Sequence, residues 1–253
     1  MRRLLAVAAF FSPWALAQSV IEVESHAFMR LPSNAGVLQL DRLAIADHGT
    51  LLIPSGVREI RVAELHLGQQ ARITIAPAEQ VFRLEAAAGE IASGAQIDAR
   101  GSQGTHQQPA LPGRALSVRL GAVVVGPLLV DARGGKGAPG YVGLDGADGM
   151  PGGCTWGQAS AGHGGQNGGD GQAGAPGAEV RLEVPAGFPV EQLQVRIDGG
   201  AGGLPGPGGS GGKGGPSKGC WLYSTDAAAD GRPGQAGQAG VQGAAGALDL
   251  VQF

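Results

Sequence analysis

The sequence predicts an all-β chain: a short parallel β-helix, or solenoid, from one corner of which glycine-rich excursions leave and return. Three observations lead there. Apolar columns recur in blocks of fixed length between residues 36 and 101. An aliphatic residue followed by aspartate and then by glycine ends three strands, at Ile97-Asp98, Val130-Asp131 and Ile197-Asp198. Beyond the second and third of those exits, glycine recurs at every third residue until the chain resumes an alternating strand.

Composition sets the limits. Of 253 residues, 48 are glycine and 16 proline, whereas ordinary proteins carry about 7% glycine. Hydrophobic residues make up 43% and aromatics 4%, so the core is aliphatic and thin. The net charge is −3 with no basic block, which argues against a nucleic-acid partner, since that binding needs clustered Lys and Arg.

Residues 1–17 read as a secretory signal peptide. Arg2 and Arg3 give the positive end, Leu4 to Leu16 the apolar stretch, and Ala15-Leu16-Ala17 the small-x-small cleavage site. The apolar run is short for a bilayer span, and no later segment is long and apolar enough to make one. The expectation is a protein exported to the periplasm, the extracellular space or the cell surface.

Residues 18–133 read as solenoid rungs with an N-terminal cap and a short loop excursion, 102–113. Gly36–Val57, Arg58–Glu79 and Gln80–Gly101 are three blocks of 22 residues. This spacing puts Leu38, Ile60 and Phe82 in one column, Leu40, Val62 and Leu84 in a second, Leu43, Leu65 and Ala87 in a third, and Ile53, Ile75 and Ile97 in a fourth. Local alternation is the strand period. A block of this size cannot bury its own apolar face, but stacking block on block does so.

The first long excursion occupies 134–177, a further rung 178–199, the second long excursion 200–246, and a closing strand 247–253. Both tracts have a period of three, which is neither helix nor strand. It fits an extended left-handed helix with three residues per turn, and the run from Gly134 to Gly152 reaches roughly 55 Å if regular. Glycine at every third place lets neighbouring backbones approach closely.

These tracts resemble bacterial collagen-like Gly-X-Y repeat proteins over 134–177 and 200–246. That resemblance implies a parallel homotrimer. Proline is sparse, however, and each outgoing tract is answered by a returning one, so the chain folds back on itself. The repeats look more like an intramolecular polyglycine-II bundle, similar to those of phage tail-tip adhesins and glycine-rich antifreeze proteins. A monomer is expected over the homotrimer.

Cys154 and Cys220 each fall just beyond an outgoing tract, 24 residues after Val130 and 23 after Ile197. An even pair in an oxidising compartment predicts one disulfide at the outer tip. Trp156, Trp221 and Tyr223 lie beside the cysteines, and His163 starts the first return. In a chain poor in aromatics this clustering marks a candidate binding tip, with a surface glycan or protein as partner.

Other chemistry is not signalled. Asp145, Asp148 and Asp170 sit among glycines but lack the calcium-binding nonapeptide, and read as solvated turn residues. The histidines, His26, His48, His66, His106 and His163, have no metal-ligand spacing. Asp98, Asp131 and Asp198 repeat with the fold, so they read as turn-capping residues. The expected function is a non-enzymatic structural or adhesive module needing no cofactor. The alternatives are a collagen-like trimeric stalk and a carbohydrate-active β-helix enzyme acting through Asp98 or Asp131.

Overall fold

The computed structural model describes residues 19–32, 36–155 and 157–253. The expected signal segment, 1–17, lies outside them. The strands in chain order are β1 (Val20–Val23), β2 (Phe28–Arg30), β3 (Val37–Ile45), β4 (Thr50–Ile53) and β5 (Glu59–Leu67). Then come β6 (Arg72–Ile75), β7 (Phe82–Ile91), β8 (Ala95–Asp98), β9 (Leu116–Val125) and β10 (Leu128–Asp131). The last are β11 (Val180–Val184), β12 (Leu193–Arg196), β13 (Lys218–Gly219), β14 (Ser224–Thr225) and β15 (Leu248–Gln252).

The chain is nearly all β. One sheet runs β1-β3-β5-β7-β9-β11-β15 and the other β12-β10-β8-β6-β4-β2, and all neighbours in both are parallel. From β1 to β10 the strands alternate between the sheets, so the chain coils. The inner faces enclose an aliphatic core in which Leu43, Leu51, Ile60, Leu65, Ile73 and Val130 are fully buried. One corner turns through a left-handed residue on successive rungs: His26 (φ 59°), His48 (φ 58°), Gln70 (φ 53°) and Gly94 (φ 78°). The rings of His26 and His48 sit 4.8 Å apart there.

The fixed block length holds for one step and then slips. Leu38 pairs with Ile60 and Ile53 with Ile75, as the 22-residue spacing requires. Ile60, however, pairs with Leu84 rather than Phe82, Leu65 with Gly89 rather than Ala87, and Ile73 rather than Ile75 with Ile97. Two extra residues enter by the connection between β6 and β7. Because side chains alternate with period two, an even slip leaves every residue on its original face. The periodicity therefore looks undisturbed in the sequence.

Arg114 holds that longer connection in place. It is fully buried, and its guanidinium donates to the carbonyls of Val57 (2.8 Å), Ala76 (3.2 Å) and Gln80 (3.0 Å). It also lies 5.5 Å from the Phe82 ring centroid.

Four glycine-rich legs project from the coil: outgoing 134–152, returning 162–177, outgoing 200–215 and returning 231–246. They are cross-bonded at every third residue. Amides of Gly137, Gly140, Gly143, Gly146 and Gly149 donate to the second outgoing leg at Ala201, Leu204, Pro207, Ser210 and Lys213. Amides of Gly203, Gly206, Gly209 and Gly212 donate to the first returning leg at Gln172, Gly169, Gln166 and His163. The second returning leg bonds both to that outgoing leg and to the first return.

The second outgoing leg thus touches the other three. It accordingly carries glycine doublets. A Cβ on Gly200, Gly203 or Gly206 would lie within 1.8–1.9 Å of a carbonyl of the first outgoing leg, and one on Gly199, Gly202 or Gly211 within 1.9–2.0 Å of a carbonyl of the second return.

Candidate functional site

The legs leave the coil through an ion ladder. The Asp98 carboxylate accepts two bonds from the Arg100 guanidinium (2.9 and 2.6 Å), and Asp131 does the same with Arg133 (2.9 and 2.7 Å). Each carboxylate also accepts from the amide of its arginine. Asp98 and Asp131 are register partners in β8 and β10. Asp198 is not the third member of that register: Arg196 stands opposite Asp131. The expected in-register triplet is therefore a pair, with Asp198 two residues further along and its carbonyl accepting from Gly134 at 3.0 Å.

Electrostatics follow from this packing. Burial pushes the Asp131 carboxyl up, but hydrogen bonds from Arg133 and the charges of Arg133 and Arg100 outweigh it, so the pKa lies below the ordinary value. Arg100 is raised, chiefly by its bond to Asp98. Both carboxylates are held as acceptors at a change of chain direction, which is what turn-capping requires.

The aspartates in the legs are more than solvated turn residues. Asp145 accepts the amide of Ser210 (2.6 Å), Asp148 that of Lys213 (2.6 Å) and Asp170 that of Gln238 (2.7 Å). Asn167 and Asp230 do the same for Gln235 and Gly214. These side chains satisfy leg amides that no neighbouring carbonyl reaches. Glycine tracts with Asp or Asn at a three-residue spacing carry that signal in the sequence.

At the far end of the legs the chain closes into a stapled tip. Cys154 and Cys220 form a disulfide with Cα atoms 5.7 Å apart. β13 and β14 make a small antiparallel hairpin whose turn is Cys220-Trp221-Leu222-Tyr223, closed by the Cys220 amide donating to the Tyr223 carbonyl at 2.7 Å. The Tyr223 hydroxyl donates to the Cys154 carbonyl, tying the hairpin to the other tip loop. Trp221 is 95% exposed and Leu222 84%.

The structure therefore brings Cys154, Cys220, Trp221 and Tyr223 together. It leaves His163 on the exposed flank of the first returning leg, where its amide donates to Ala147 and its carbonyl accepts from Gly212. Trp156 lies outside the described residues. The residue that sequence reasoning passed over is Leu222, which is as prominent as Trp221. Its apolar character between Trp221 and Tyr223 was the available signal.

No group of three or more potential metal-ligating side chains occurs among the described residues. No helix among them is long and apolar enough to cross a membrane. Comparison with protein-family models, with curated proteins and with solved structures finds no match. The residues alone carry any functional reading.

Proposed function

We propose that this chain is an exported, non-enzymatic structural arm that makes contact through its tip. In this reading the coil is a short parallel β-solenoid acting as root, and the four legs are polyglycine-II helices acting as a stiff spacer. The disulfide-closed hairpin is the contact end. The observation that carries the reading is the exposure of Trp221 at the distal end of a rigid bundle, in a chain with few aromatics.

Several features support the parts. The three-residue period of the leg hydrogen bonds fits polyglycine II. A disulfide, and described residues without a membrane-crossing helix, fit an exported protein. The glycine faces turn toward sister legs of the same chain, which favours a monomer over a collagen-like homotrimer. Asp98 and Asp131 are each clamped by an arginine, which disfavours the carbohydrate-active enzyme.

The test is binding of the chain to whole bacterial cells and to glycan- and protein-coated surfaces. Trp221→Ala, alone and with Trp156→Ala, is expected to lower binding at least tenfold with the coil and disulfide intact. Unchanged binding removes the contact role from the tip. Solution mass distinguishes the arm from a trimeric stalk.

A further inference from the structure

The tip combines low charge with the most exposed apolar side chains among the described residues. Residues 149–162 contain no charged side chain, and residues 215–225 contain one, Lys218. Uncharged runs also occur in the legs, at 199–212 and 233–248, so exposure rather than charge sets the tip apart. Within this end Trp221, Leu222 and Met150 are 95%, 84% and 76% exposed. Trp221 and Leu222 occupy the apex of the β13–β14 turn, so they stand on a convex point and not in a cleft.

Small-molecule sites are concave and place a few polar groups around an apolar wall. The apex offers neither. A concave pocket lined by Thr155, Gln158, Tyr223, Thr225 and Asp226 lies beside the apex but does not include Trp221 or Leu222, and the Tyr223 hydroxyl is already engaged by the Cys154 carbonyl. A stacked sugar also leaves Leu222 unexplained, and leucine is under-represented at protein hot spots. A tryptophan beside a leucine on a narrow point of low charge matches a different surface. Indole partitions to the headgroup region of a bilayer and leucine to the acyl boundary beneath it.

We propose that the tip is a lipid-bilayer anchor, with Trp221 and Leu222 entering the membrane interface and Lys218 facing the headgroups. This inference rests on the reading of the tip as the contact end. The disulfide, the Cys220–Tyr223 turn bond and the Tyr223–Cys154 bond fix the apex in advance, so insertion orders little further chain. Two apolar side chains make a weak, reversible anchor, weaker than a single acyl chain. A single lysine near anionic lipid adds about fivefold.

The experiment uses the exported form, residues 18–253, with Trp156→Phe, so that Trp221 alone fluoresces. Phosphatidylcholine vesicles, with and without phosphatidylglycerol, are the probe, and flotation measures partition. The expected result is co-flotation, a blue shift of Trp221 emission, about fivefold tighter partition on anionic vesicles, and at least about tenfold loss on Leu222→Asp. Leu222 is exposed, and an intact disulfide and unchanged circular dichroism confirm folding. Absence of partition and of the emission shift on both vesicles overturns the inference, as does partition that Leu222→Asp leaves unchanged. If vesicles fail while Trp221→Ala still weakens binding to cells or coated surfaces, the lipid inference falls and the contact role stands. If Trp221→Ala leaves that binding intact as well, both fall.

Discussion

A Cβ built on Gly206 would sit 1.9 Å from the carbonyl oxygen of Tyr141. No real Cβ comes so close to backbone, so the two legs must part for any side chain to fit. The Gly206 amide meanwhile donates to Gly169 at 2.9 Å, and its carbonyl accepts from Gly237, also at 2.9 Å. One residue thus joins three neighbours, and its missing side chain is the condition for all of them.

Gly206→Ala is therefore expected to destabilise the arm by about 3 kcal/mol or more, the upper range for overpacking against an unyielding neighbour. Gly164→Ala is the control. Its Cβ would meet only the Arg232 carbonyl at 3.5 Å, an ordinary contact, and its φ is not left-handed. That substitution is expected to be neutral or to stabilise by up to about 1 kcal/mol, through the unfolded chain. Urea unfolding of both variants checks the contrast. Equal effects would show that the legs do not pack through glycine.

Arg114 makes a second prediction. It is a fully buried cation whose hydrogen-bond partners are the carbonyls of Val57, Ala76 and Gln80, with no carboxylate among them. Desolvation pulls its pKa down from the usual arginine value. Arg114→Met keeps much of the apolar stem but orphans the three carbonyls, so a loss of about 3 kcal/mol or more is expected. Arg114→Lys, a point donor without the planar fork, should recover only part of it. Thermal unfolding of the three proteins measures the order.

How much of this was readable in advance depends on what each feature leaves in the sequence. The coil was legible because Leu38, Ile60 and their columns keep the strand period. The slip to Leu84 was not, because an even shift preserves that period. The disulfide was legible because Cys154 and Cys220 stand at equivalent distances along two repeats. The ion ladder was half legible: Asp98 and Asp131 do pair, but Arg196, not Asp198, faces Asp131, since register is set by backbone bonds and not by a local motif. The three-residue glycine period marked the legs, yet which legs lie against which is a three-dimensional fact. Leu222 carries no motif at all, and its prominence depends on the turn that lifts it.

The ladder predicts a pH dependence. Asp131 has its pKa below the ordinary aspartate value in the folded state, because its bonds to Arg133 outweigh burial. A depressed carboxyl contributes stability that is fully present above the unfolded pKa, about 3.9, and is lost as pH falls through the folded value. Unfolding free energy should therefore decline below about pH 4. In Asp131→Asn that decline should be shallower, with lower stability at neutral pH. Denaturant titrations across the acid range decide it; identical slopes in the two proteins would remove Asp131 from the account.

The staple at the tip closes a span of 66 residues. In the loop-entropy description that constraint is worth about 4 kcal/mol against the unfolded chain. Its local effect should be read separately from its global one. The legs are held by backbone bonds that do not involve the cysteines, such as Gly140 to Leu204 and Gly203 to Gln172. The hairpin is short, with only Lys218–Thr225 and Gly219–Ser224 as register pairs. Cys154→Ser with Cys220→Ser should therefore speed hydrogen exchange at position 220 and its neighbours by orders of magnitude, because only the Tyr223 hydroxyl bond then ties the turn to the other loop. Gly140 and Gly203 should slow-exchange still, shifted only by the change in global stability. Equal acceleration at the tip and in the legs would mean that the staple holds the whole bundle together, not the contact end alone.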